Sequence, residues 1–211
     1  MEQAFPLTNK QLLLINEQMN KFICKIILKE GSKGTGFFIN IPNKADNIHA
    51  LITANHIINE KYIKEGNSIN IKLNNGNEIR TINIQKNRKL YTNREYDITI
   101  IEIIEKIDNI FNFLELDENI FNENNSLFFR GAYIYFLFYS KDELARVSFG
   151  IIKIIEGKEI VHNCFSDFYS TGGPILSSNN SKVIGMHTHK KSNGLKSGIL
   201  LDQAILEFLK N

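Results

Sequence analysis

The stretch Thr171-Gly172-Gly173-Pro174-Ile175 decides how this 211-residue chain is read. A hydroxyl residue followed by Gly-Gly-Pro gains its meaning from two earlier segments. Leu51-Ile52-Thr53-Ala54-Asn55-His56 ends an apolar run in a histidine, and Tyr96-Asp97-Ile98-Thr99-Ile100-Ile101 sets an aspartate ahead of another such run. In chain order the three segments supply an imidazole, a carboxylate and a hydroxyl. A neutral imidazole can take a proton from an attacking hydroxyl and return it to a leaving amine, while a carboxylate fixes its tautomer. The three residues lie far apart in sequence, so only a fold can bring them together.

Outward from these segments the chain has the pattern of an all-β protein. Thr8 is placed to cap a helix whose apolar residues Leu12, Leu13, Ile15 and Met19 recur near helical spacing. Six short runs rich in Ile and Phe follow, at 22–28, 36–39, 49–53, 69–73, 82–84 and 98–103, with Gly, Asn and Lys between them. Such spacing predicts a small antiparallel barrel. The Asn-rich, charged sequence from Asp117 to Ser126 is expected to be a linker. A second set of six runs covers 133–139, 147–155, 160–164, 174–176, 183–187 and 198–201. The chain then ends in an amphipathic segment with Asp202 as its expected cap. The expected organisation is a single domain with a helical segment over 1–20, a first barrel over 21–116, a second over 127–201 and a C-terminal helix over 202–211.

Composition narrows the function classes. A 43% hydrophobic content suits one domain with a substantial core. A net charge of +2 with scattered basic residues is too mild to require nucleic acid. Met1-Glu2-Gln3-Ala4-Phe5 lacks the basic and apolar regions of a signal peptide, and no run reaches the ~18 apolar residues of a membrane helix. A cytoplasmic protein without membrane attachment is expected. Cys24 and Cys164, the only cysteines, are expected to be reduced thiols. No Cys-x-x-Cys pair, His-Glu-x-x-His segment or phosphate-binding Gly loop occurs, so neither a metal nor a cofactor is expected.

Together the motifs resemble the trypsin-like serine peptidase superfamily, over about Lys33 to Leu201. Gly34-Thr35-Gly36-Phe37-Phe38-Ile39 is similar to the strand that begins many intracellular and bacterial members, and the order His, Asp, nucleophile is that of chymotrypsin. The resemblance implies two six-stranded antiparallel β-barrels, with His56 as general base, Asp97 as its orienting carboxylate and Thr171 in the place of the nucleophilic serine. It implies an oxyanion hole from the amides of Tyr169 and Thr171. Val183-Ile184-Gly185-Met186-His187 resembles the pocket strand of glutamyl endopeptidases. That likeness implies that His187 and Ser166 meet an acidic substrate side chain, with Phe165 at the pocket base.

Two departures bear on activity. Thr171 keeps a hydroxyl but adds a methyl that restricts χ1. An internal Thr also lacks the α-amine that usually serves threonine nucleophiles as base. Tyr169 stands where the family usually has Gly, and a non-Gly residue adopts unusual backbone angles less readily. Ser170 lies one residue early for a nucleophile, and Cys164 is more simply a core thiol. Two readings follow: an endopeptidase with a His/Asp/Thr triad acting on polypeptides, or an inactive pseudopeptidase whose cleft binds a peptide or protein partner.

Overall fold

The computed structural model describes residues 7–28, 31, 33–44, 46–74 and 78–210. The first helix, α1 (Asn9–Lys21), begins with the expected cap: the Thr8 hydroxyl accepts from the Gln11 amide, and the Gln11 side chain accepts from the Thr8 amide. Its inner face holds Ile15 and Gln18, whereas Leu12 and Leu13 lie outside. Gln18 accepts from the Tyr135 hydroxyl at 2.8 Å and so ties this helix to the second half of the chain.

The first half contains β1 (Ile23–Ile27), β2 (Lys33–Ile41), β3 (Ile48–Thr53), β4 (Ser68–Leu73), β5 (Ile79–Asn83), β6 (Leu90–Asn93), β7 (Ile98–Glu102) and β8 (Leu114–Glu115). Seven of them run β5-β4-β1-β2-β3-β7-β6 in a curled sheet, and the two-residue β8 pairs in parallel with β2. The strand β6 carries no apolar run to announce it; pairing with β7 creates it. Three short turns of helix also arise where sequence suggests loop: α2 (Glu105–Asp108), a 3-10 turn (Glu118–Phe121) and α3 (Asn125–Phe129). The 3-10 turn lies within the expected linker, and α3 begins at its end.

All six strands expected in the second half form. They are β9 (Tyr133–Tyr139), β10 (Ala145–Glu156), β11 (Glu159–His162), β12 (Pro174–Ser177), β13 (Val183–Lys190) and β14 (Lys196–Leu200), closed in the order β10-β11-β14-β13-β12-β9. Closure leaves no open edge, and the nearly unbroken apolar sequence of β9 is buried from Ile134 onward. The C-terminal α4 (Asp202–Lys210) buries Ala204, Ile205 and Phe208, with Asp202 as its first helical residue rather than the residue before it. The architecture is chymotrypsin-like: a closed six-stranded barrel, an open counterpart and short helices at both ends. No helix among the described residues is long and apolar enough to cross a membrane.

Candidate active site

Strand register brings the imidazole and carboxylate together. In the β3–β7 pair Thr53 lies opposite Thr99. His56 follows the first by three residues and Asp97 precedes the second by two, so both fall at one end of adjacent strands. The loop between is pinned: Thr99 donates to the Ile58 carbonyl at 2.5 Å, and the Asn55 side chain bonds the Thr92 hydroxyl. Asp97 takes a left-handed backbone, φ +49°, a conformation that Asp tolerates better than most non-Gly residues. Its carboxylate accepts the His56 amide at 2.9 Å and approaches ring Nδ1 at 2.7 and 3.0 Å. The carboxylate therefore holds the proton on Nδ1 and leaves Nε2 free as a base. The same hydrogen bond raises the His56 pKa above its ordinary 6.5, against the opposing effect of burial.

Thr171 comes from the second half, three residues before β12. Gly172 beside it has φ +88°, and a Cβ there would strike the Thr35 carbonyl and the Thr53 hydroxyl. Only glycine permits both that backbone and that approach. It seats the Thr171 loop against Thr53 and Ala54, just ahead of His56. The Thr171 hydroxyl is not bonded to His56. It donates to the Thr188 carbonyl at 3.0 Å.

The amides of Tyr169 and Thr171 donate to no protein acceptor among the described residues. Tyr169 is also absent from the residues with positive φ, so this segment does not require glycine there. Ser170 is buried and donates to the Asp167 carbonyl at 2.6 Å. Cys24 and Cys164 are unpaired, buried thiols in different halves, and burial pushes the Cys164 pKa up to about 12.

The expected pocket residues are placed less as their sequence suggests. His187 is only 1% exposed, packed on Phe136 with ring centroids 4.7 Å apart, and its Nδ1 lies 3.3 Å from Nε2 of His162. Burial lowers both imidazoles, His162 to about 4 and His187 to about 3, and the nearby Lys196 ammonium adds to the effect. Ser166 is half-buried in the loop before Thr171. Phe165 is not at the floor of a closed pocket: it is 65% exposed, and its amide donates to the Ser148 hydroxyl at 2.7 Å. Phe168, 78% exposed, continues the same loop. A groove of about 240 Å³ runs beside Asp97 at the junction, lined by Tyr96 and Asp97 on one side and by Lys158, Thr188, His189 and Ser197 on the other.

Sequence reasoning missed His162 and Thr188. The first sits in a predicted strand with no motif around it. The second directly follows His187 and acts through its backbone, which no side-chain pattern reports. Among the described residues no group of three or more His, Cys, Asp or Glu could hold a metal.

No protein-family model and no curated protein sequence matches the chain. Solved structures do match its fold. The Rv3671c protease in its inactive form superposes with a TM-score of 0.66 at 14% identity, covering 100% of this chain and 98% of that one. A serine endoprotease from Yersinia pestis gives 0.68 at 14% identity, over 99% and 69% of the two chains. A Glu endopeptidase gives 0.66 at 16% identity, over 90% and 89%. The chain therefore has the chymotrypsin fold of the trypsin-like serine proteases. At these identities the likeness extends to fold and no further.

Proposed function

We propose that the protein is a slow endopeptidase of the serine-peptidase type, with His56 as base, Asp97 as its orienter and Thr171 as nucleophile. The observation that carries the reading is the His56–Asp97 pair, with both carboxylate oxygens on one side of the ring and Nε2 left unbonded. In the reaction the Thr171 hydroxyl turns from Thr188 toward Nε2, gives up its proton and attacks the peptide carbonyl. His56 then returns the proton to the leaving amine as the C–N bond breaks. A water that gives its proton to His56 hydrolyses the resulting Thr171 ester, and the proton passes back to the Thr171 hydroxyl. The substrate is a polypeptide. Its preferred residue on the acyl side is Glu or Asp, met by Ser166 and by His187 once that buried ring is uncovered, in keeping with the Glu endopeptidase among the similar structures. Because His187 is neutral when free, an acidic side chain must bring a proton into that site, so binding should tighten as pH falls.

One observation favours the second reading, a pseudopeptidase that binds a peptide or protein partner without cutting it. The Thr171 hydroxyl is already committed to the Thr188 carbonyl, and its methyl hinders the turn toward His56. Labelling by a fluorophosphonate separates the readings. We expect Thr171→Ser to label at least about tenfold faster than wild type, the equivalent of ~1.4 kcal/mol. His56→Ala in either background should cost on the order of a hundred- to ten-thousandfold. Labelling of folded Thr171→Ser that ignores His56, or no labelling of either protein, would leave the binding reading in possession of the site.

A further inference from the structure

Thr35, between Gly34 and Gly36 in β2, has no exposed surface and no acid–base role. Yet its polar groups are engaged on both sides of the junction. Its hydroxyl donates to the Tyr169 carbonyl at 2.6 Å and accepts from the Tyr139 amide at 2.9 Å. Its amide donates to the Thr171 carbonyl at 3.0 Å, and its own carbonyl accepts from the Thr53 hydroxyl at 2.8 Å. One residue of the first half thus holds the two carbonyls flanking Ser170 and also the strand end that leads to His56.

The consequence lies in the peptide planes. The Ser170 carbonyl receives the Gly173 amide at 3.1 Å. In a planar trans peptide the N–H points opposite to its C=O, so the Thr171 amide is turned away from Gly173 and left without a protein acceptor. Holding Tyr169 and Thr171 by their carbonyls keeps the segment from rotating to bury those amides. A hydroxyl is required for this, because the side chain must donate to one carbonyl and accept from one amide at once.

We propose that Thr35 is a positioning residue. From the first half it fixes the Tyr169–Thr171 backbone so that the two amides form a paired donor site for an anionic oxygen, a peptide carboxylate or the tetrahedral oxyanion of peptide hydrolysis. The catalytic use of this site rests on the peptidase reading, but the donor pair can be tested without turnover.

The test follows the Tyr169 and Thr171 amide signals by ¹⁵N NMR while a short peptide with a free C-terminal carboxylate is added. In wild type both signals should move together and saturate. In Thr35→Val, which matches the side chain in shape but has no hydroxyl, the response should vanish, and Thr35→Ser should restore it. In the Thr171→Ser background, Thr35→Val should slow fluorophosphonate labelling by roughly a hundredfold. Thr35→Ser should stay within a few-fold, and the pH midpoint set by His56 should not move. Should Thr35→Val fail to fold, Thr35→Cys, a weak donor, takes its place with a smaller loss expected. An amide response that survives in folded Thr35→Val or Thr35→Cys, or that is missing from wild type, overturns the proposal. Amide shifts without labelling of Thr171→Ser would instead retain the donor pair and sink the peptidase reading.

Discussion

In the first half His56 keeps a carboxylate 2.7 Å away and a side chain 57% exposed. In the second half His162 and His187 face each other at 3.3 Å inside the barrel, with the Lys196 ammonium the charge that acts on both. The first environment favours the imidazolium and raises the pKa; the second disfavours it and lowers the pKa. The same side chain therefore faces solvent beside a carboxylate in one half and, in the free protein, is buried and neutral in the other. The first half also buries a charge, but beside an opposite one, although the Arg88 Nε is left without a hydrogen-bond partner among the described residues. The Arg88 guanidinium meets Asp108 through two hydrogen bonds and the Glu102 carbonyl through a third.

The comparison breaks most sharply at Asp97. Asp97→Asn removes the group that raises His56, so the pH midpoint of labelling in the Thr171→Ser protein should fall toward the ordinary imidazole value of 6.5. The rate should drop on the order of a hundred- to ten-thousandfold, since the base loses its fixed tautomer. An unchanged midpoint would mean that His56 does not act as base.

The next effect is on stability. For His162 and His187 the folded pKa lies below the unfolded one, so the unfolded chain binds protons first as pH falls. Stability from keeping them neutral is complete above about pH 6.5 and is lost down toward pH 4 and 3. Urea melts should lose about 3 kcal/mol or more across that window. A His162→Phe, His187→Leu double variant should lose markedly less. A wild-type stability flat to pH 4 would contradict the neutral pair.

A smaller effect is expected at Glu143, where the β9–β10 turn grips the first half through Lys25 at 2.6 Å and Lys33 at 2.7 Å. Hydrogen bonds from these two ammonium groups lower its pKa to about 2. Here the contribution is present above the ordinary carboxylate range and fades as pH falls through the folded value. Glu143→Gln should cost about 1 kcal/mol at neutral pH, a discounted figure because Glu143 is 44% exposed. The difference from wild type should close near pH 2. A cost that persists there would come from packing, not charge.

Much of the fold could be read from the chain. The six runs from Tyr133 to Leu201 become the six barrel strands because apolar segments of that length, separated by turn residues, have few ways to be buried. In the first half β6 escaped, since Leu90-Tyr91-Thr92-Asn93 has mixed polarity and becomes a strand only by pairing with β7. Leu12 and Leu13 were legible as apolar, but not as the face left uncovered. Spacing reports which residues share a face and is silent on what covers it.

For the candidate site, sequence by itself determined the residue types and their order: an imidazole, a carboxylate and a hydroxyl before Gly-Gly-Pro. These are local facts, carried by short motifs at strand ends. Only the tertiary structure decided how each group is spent. The β3–β7 register joins His56 to Asp97, the close approach at Gly172 seats the loop, and the Thr188 carbonyl claims the Thr171 hydroxyl. Likewise only packing turned His187 inward against His162 and left Phe165 outside. A hydrogen bond or a buried face depends on which distant backbone atom arrives within about 3 Å, and no periodicity along the chain encodes that arrival.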